Sequence, residues 1–135
     1  MLTVLHADDD NLILSLVKAI LEISDEFSVS NYSSGFDAIK HGSSYAYDLI
    51  ILDFQMPGMT GVETLYSLKK IPLLAGTPVI FLTSDVEREE IHNAREVDII
   101  GIIAKPFNPD KLLDEVKHLY MKYKNSLNEN KQIPR

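Results

Sequence analysis

The chain is predicted to fold as an α/β domain, a doubly wound five-stranded parallel sheet with helices on both faces. Two observations predict this. Short β-like runs alternate with longer runs whose apolar residues recur at helical spacing. The third β-like run, Leu49–Asp53 (LIILD), is apolar without alternation until its last residue, as expected of a strand covered on both faces.

The elements follow in order. Leu2–Ala7 (LTVLHA) is the first strand. Leu12, Ile13, Leu16, Val17, Ile20 and Ile23 then mark a helix, with Asp10 or Asn11 as its N-cap. Phe27–Tyr32 is a second, more polar strand. Ser34 caps a helix running to about Ser44, with Asp37 three positions on. After the third strand, Thr60-Gly-Val-Glu63 fits a capping box opening a helix that ends before Pro72. Pro78–Thr83 is the fourth strand. Ser84-Asp-Val-Glu87 matches a second capping box, so the fourth helix is expected from there. Ile99–Ala104 is the fifth strand. Asn108-Pro109-Asp110 supplies an N-cap, a proline in the first turn and an acid beside it. Leu112, Leu113, Val116, Leu119, Tyr120 and Tyr123 form the buried stripe of the last helix. Residues 125–135 are polar without a period and are expected to be a frayed tail or the start of a linker, which places the domain at 1–124.

Composition narrows the function. The 135 residues suit one domain and need no staple. There is no cysteine, which removes disulfides, thiol catalysis and thiolate metal sites. The net charge of −7 argues against a nucleic-acid or anionic-membrane surface. The acidic excess falls in residues 1–107, whereas residues 108–135 are mildly basic. The amino terminus is no signal peptide, and no apolar run approaches the ~20 residues of a membrane helix, so a cytoplasmic protein is expected.

In a doubly wound sheet the functional site lies beyond the carboxyl ends of the strands. Asp8, Asp9 and Asp10 follow the first strand, Asp53 ends the third, Thr83 ends the fourth and Lys105 follows the fifth. Each alone reads blandly, as a solvated turn or a cap. Together they bring carboxylates, a hydroxyl and an ammonium to one edge. Two carboxylates ~4 Å apart repel by roughly 4 kcal/mol at an effective dielectric of 20. Lys105 offsets one charge, and a hard divalent ion such as Mg²⁺ would offset the rest. Such equipment can hold a phosphoryl group, with a carboxylate as nucleophile. His6, His41, His92 and His118 are scattered without metal-ligand spacing and read as structural.

VLHADDD (4–10), DLIILDFQMPGMTG (48–61), VIFLTS (79–84) and AKPF (104–107) together resemble the receiver domain of the two-component response-regulator family. The resemblance spans residues 2–124 and extends to the spacings between Asp53, Thr83 and Lys105. It implies a flavodoxin-like (βα)₅ fold with strand order 2-1-3-4-5. It implies Asp53 as phospho-acceptor from a phosphohistidine of a sensor histidine kinase or histidine phosphotransfer protein. Asp9, Asp53 and the backbone carbonyl of Gln55 would ligate Mg²⁺, with Asp8 acting through water. Lys105 would pair with the phosphoryl oxygens and Thr83 would report them. The Lys105–Pro106 peptide would be cis, and Gly58 and Gly61 would let the loop after Asp53 turn tightly. Gln55 and Asp85 sit where relatives tune water access to the phosphorylated aspartate.

Two departures stand out. Ile102 occupies the position, three before the lysine, where relatives usually carry Tyr or Phe. Val97-Asp98-Ile99 replaces the common Ala-Gly-Ala, and Asp98 can still take a left-handed turn. The face of the fourth helix, fifth strand and last helix is therefore expected to be an atypical output surface for a protein target or a homodimer. The chain would catalyse only its own phosphorylation and dephosphorylation, without direct nucleic-acid binding or membrane insertion. Two alternatives compete. One is a phosphorylation-independent, receiver-like interaction module, favoured by Ile102. The other is a small haloacid-dehalogenase-type phosphatase, suggested by Asp8-x-Asp10 but opposed by Leu12 and the short chain.

Overall fold

The computed structural model describes residues 1–94 and 98–132. The elements are β1 (Leu2–Ala7), α1 (Asn11–Glu22), β2 (Phe27–Tyr32), α2 (Gly35–Gly42), β3 (Leu49–Leu52), α3 (Gly61–Lys69), a 3-10 turn (Pro72–Leu74), β4 (Val79–Thr83), α4 (Glu89–Asn93), β5 (Ile99–Ala104) and α5 (Pro109–Gln132). The sheet is wholly parallel with order β2-β1-β3-β4-β5. The order reverses at β1, so the crevice at its carboxyl end, between β1 and β3, is the switch point of the fold.

The unbroken apolar run of β3 is explained by two cores. Ile50 and Leu52 pack into the layer holding Ala38 of α2, Val62, Leu65 and Leu68 of α3, and Ile91 of α4. Leu49 and Ile51 pack into the layer of Val17, Ile20 and Leu21 of α1 and Leu112, Val116 and Tyr120 of α5. A strand with both faces dry has no polar side. β2 is an edge strand and is more polar, as its sequence indicates. At mid-strand its outward backbone is satisfied by α1: Val29 N donates to Glu22 Oε2 at 2.8 Å, and Lys18 Nζ donates to Val29 O at 2.6 Å. Such side-chain cover blunts an edge that could otherwise recruit another strand.

Caps locate most helix starts. Asp10 Oδ1 accepts from Leu12 N and Ile13 N at 2.9 and 3.3 Å. Ser34 accepts from Asp37 N, and the Thr60–Glu63 capping box is made in both directions. Asn108 Oδ1 accepts from Asp110 N at 2.9 Å.

Two expectations are corrected. The box at Ser84–Glu87 does not form, and α4 begins at Glu89. Residues 85–88 turn instead, with Arg88 N donating to Asp85 O at 3.2 Å, because the Thr83 hydroxyl takes the Asp85 N–H at 3.2 Å. The tail expected from residue 125 continues α5 to Gln132. Residues 125–132 contain neither glycine nor proline, so local sequence offers no stop before Pro134. Asp98 does adopt the left-handed conformation, φ 61°. Val97, the other half of that departure, lies outside the described residues.

His6 is fully buried in β1, and neither ring nitrogen has a partner among the described residues. Burial, helped by the charge of Lys105, pushes its pKa down to about 3. The unfolded chain takes up this proton near the ordinary histidine value of 6.5, so it binds more protons than the folded chain between those values. Stability is full above pH 6.5 and falls as pH falls. In urea unfolding, the wild type is expected to lose roughly 2 kcal/mol more than His6→Val between pH 7 and pH 5. Equal losses would contradict this account of His6.

Candidate functional site

Parallel strands in register end together, and their last residues share one edge. Ala7 pairs with Leu52, Leu52 with Phe81, and Thr83 with Ala104. Asp8 and Asp9 leave β1, Asp53 leaves β3, Thr83 closes β4 and Lys105 leaves β5. Backbone bonds extend the register past the strands: Asp53 N donates to Ala7 O at 3.0 Å and Lys105 N to Thr83 O at 2.8 Å.

The side chains converge. Lys105 Nζ lies 2.6 Å from Asp8 Oδ2 and 3.5 Å from Asp53 Oδ2. Asp8 is fully buried, and Asp53 is 5% exposed. Asp9 is exposed, yet it offers an oxygen within the same cluster: one carboxylate oxygen from each of Asp8, Asp9 and Asp53 lies within 4.8 Å of the others. Asp8 Oδ1 also accepts the Asp10 N–H at 2.9 Å. Asp10 itself turns away to cap α1, so the Asp triplet divides into two site residues and one cap.

The electrostatics are those of crowded acid. Burial and then the Asp8 carboxylate push the Asp53 pKa up to about 6, against the pull of Lys105. Asp8 is raised too, chiefly by burial, which outweighs its bond to Lys105 and its backbone bond from Asp10. The ammonium contacts two carboxylates and cannot satisfy three. A hard cation with oxygen ligands fits this donor set.

The loop after Asp53 is shaped by two glycines for different reasons. Gly58 needs its left-handed φ of 79°. Gly61 is needed for space, because a Cβ there would meet the Asp53 carbonyl oxygen at 2.1 Å. Gly61 N donates to Phe54 O at 2.8 Å, which ties the start of α3 to the residue after Asp53. The Lys105–Pro106 peptide is cis.

The remaining predicted residues sit around this edge. Thr83 is 1% exposed and its hydroxyl accepts from Asp85 N. The Gln55 and Asp85 side chains are exposed, on the loops after β3 and β4. Ile102 is partly buried against the Phe81 and Ile91 layer, its strand position paired with Phe81. Sequence reasoning missed Arg88, whose guanidinium carbon stands 4.4 Å from the centroid of the Phe54 ring. No motif carries that contact; it exists because the expected cap at Ser84 gives way to a turn.

Fold and site together define a doubly wound α/β domain with a crowded acidic cluster at the carboxyl edge of its sheet. A family model described as response regulator receiver domain matches residues 4–117, and the chain belongs to that family. It is 38% identical over 115 residues to a probable transcriptional regulator, ycf29, of Porphyra purpurea, covering 84% of this chain and 54% of that protein. The chain thus spans about half the length of that relative. It is 25% identical over 117 residues to the chemotaxis protein CheY of Pseudomonas aeruginosa, covering 87% of this chain and 94% of that protein. Among solved structures, the chemotaxis response regulator CheY4 of Vibrio cholerae superposes with a TM-score of 0.79 at 29% identity, covering 88% of this chain and 98% of that one.

If carboxylate crowding is the dominant strain at this edge, removing one charge relieves it. Asp53→Asn is expected to be more stable than the wild type at pH 7 in the presence of a chelator, by about 1 kcal/mol after allowance for solvent screening. Added Mg²⁺ is expected to narrow the gap, since a cation stabilises the form that binds it. Thermal unfolding with and without Mg²⁺ measures both effects. A variant less stable than the wild type in chelator would contradict the electrostatic account.

Proposed function

We propose that this receiver domain is a phosphorelay switch that takes a phosphoryl group onto Asp53. The observation that carries the reading is the place of that carboxylate: just past β3, 5% exposed, 3.5 Å from the Lys105 ammonium and clustered with Asp8 and Asp9. The donor is a phosphohistidine of a sensor histidine kinase or a histidine phosphotransfer protein. An Asp53 oxygen attacks phosphorus, the phosphorus–nitrogen bond breaks, and the imidazole leaves with its electron pair and takes up a proton. Lys105 is placed to balance negative charge on the phosphoryl oxygens. The Thr83 hydroxyl accepts from Asp85 N, which leaves its own proton free to be donated to one of those oxygens.

Asp9, Asp53 and the backbone carbonyl of Gln55 would hold Mg²⁺, with Asp8 acting through water. When bound, the ion offsets the charge of the acidic cluster and of the transferring group. Gln55 and Asp85 flank the site from two loops and tune water access. The surface of α4, β5 and α5 carries the output to a protein target or a second copy. The domain, taken as residues 1–124, works in the cytoplasm and catalyses its own phosphorylation and dephosphorylation. No helix among the described residues is long and apolar enough to cross a membrane. One observation favours a second reading, a phosphorylation-independent interaction module. Ile102 has no ring or hydroxyl to follow Thr83 as an aromatic switch would.

Incubation with Mg²⁺ and a small phosphodonor distinguishes the readings. The expected result is a stoichiometric phosphoprotein that is absent in Asp53→Asn. Lys105→Met is expected to be labelled at least about tenfold more slowly. Multiple turnover on small phosphate esters would point to an enzyme. A labelled chain that binds its partner no differently with a phosphoryl analogue would favour the interaction module.

A further inference from the structure

The loop between β4 and α4 holds a contact that the phosphoryl chemistry above does not use. Arg88 lies across the ring of Phe54, the residue after Asp53, at 4.4 Å from its centroid. Its Nη1 is 3.5 Å from Asp85 Oδ2, and its Nε is 2.8 Å from Glu90 Oε2. Asp85 in turn donates its N–H to the Thr83 hydroxyl at 3.2 Å. A continuous path of covalent neighbours and contacts therefore runs from Asp53 through Phe54, Arg88 and Asp85 to Thr83. It joins the loop after β3 to the loop after β4. Phe54 is 2% exposed although it follows a strand end, and the guanidinium is part of its cover.

The ion pairs of Arg88 are exposed, with Asp85 and Glu90 both about half open to solvent, so they contribute little by themselves. The placing of the guanidinium over the Phe54 ring is the contact that fixes the loop. A bond of that kind is strong enough to bias a loop and weak enough to open.

We propose that Arg88 is a positioning residue whose clasp on Phe54 holds the β4–α4 loop closed and slows loss of the phosphoryl group from Asp53. The proposal rests on Asp53 being the phospho-acceptor. The step concerned is hydrolysis. A water oxygen bonds to phosphorus and the bond from phosphorus to the Asp53 oxygen breaks. The carboxylate, inorganic phosphate and a proton are released. The clasp restricts the approach of that water from the side of the two loops. Arg88 touches neither phosphorus nor water in this account and acts through Phe54.

The test follows the decay of phosphoprotein in the whole chain, after labelling with a small phosphodonor and Mg²⁺ and removal of the donor. Arg88→Ala is expected to decay about two- to fivefold faster than the wild type, the factor that loss of one exposed cation–ring contact supplies. Arg88→Lys keeps a cation for the ring and is expected to fall between the two. Phe54→Leu removes the surface on which Arg88 stands and is expected to match Arg88→Ala, with no further acceleration in the double variant. A purely structural loss would not give partial rescue by lysine or this non-additivity. Decay of Arg88→Ala at the wild-type rate overturns the clasp, as does a lysine variant as fast as alanine. Effects of Arg88→Ala and Phe54→Leu that multiply overturn it as well. If the wild type takes no label, the assignment of Asp53 fails and the clasp falls with it, a result distinct from a labelled wild type with an indifferent Arg88.

Discussion

The interaction on which this site depends is the repulsion among Asp8, Asp9 and Asp53, only partly relieved by Lys105. One oxygen from each lies within 4.8 Å of the others, and two of the three residues are buried. A core of that kind would be costly if stability were its sole purpose. Burial, and then the neighbouring Asp8 carboxylate, hold the Asp53 carboxyl well above its usual range, and the cluster makes the edge a receptor for positive charge. Lys105 reaches Asp8 more closely than Asp53, at 2.6 against 3.5 Å, so Asp53 is the less fully paired of the two buried acids. That asymmetry suits the role of phospho-acceptor proposed for Asp53.

The fold exists, in functional terms, to hold that crowd in place. β1 and β3 lie side by side in the sheet, which sets Asp8 beside Asp53. β4 and β5 follow in order and present Thr83 and Lys105 from the other side. Two dry core layers fix the strands against sliding, because a one-residue slip would turn each β3 side chain to the opposite layer. The loops beyond the strands have more freedom, and small contacts decide their shape. Gly61 admits the Asp53 carbonyl, and Arg88 covers Phe54. Change at the acidic edge therefore has a physical route outward, through Thr83 and its loop toward α4.

Much of this is legible in the residues. The unbroken LIIL run implies two cores, and the alternation of periods implies a parallel sheet. The strand-end rule then gathers Asp8, Asp9, Asp53, Thr83 and Lys105. These inferences hold because they rest on periodicity and on backbone register, which are regular. Failures occur where local and tertiary demands compete. Ser84–Glu87 has the letters of a capping box, but the Thr83 hydroxyl captures the Asp85 N–H and the segment turns instead. The polar stretch after Lys124 lacks an apolar period, yet nothing in it breaks a helix already under way. The contact of Arg88 with Phe54 depends on that unexpected turn and has no sequence signature. His6 reads as an ordinary polar letter in a strand, and only burial reveals its unpartnered ring.

The central claim is that the crowded edge makes Asp53, and neither of its acidic neighbours, the residue that bonds to phosphorus. Borohydride reduction converts an acyl phosphate to an alcohol and so turns a phosphorylated aspartate into homoserine. Peptide mapping of the reduced protein, after treatment with a phosphodonor and Mg²⁺, reads the position directly. The account predicts homoserine at position 53, dependent on Mg²⁺. Homoserine at position 8 or 9, or none under conditions that label another receiver domain, would contradict it.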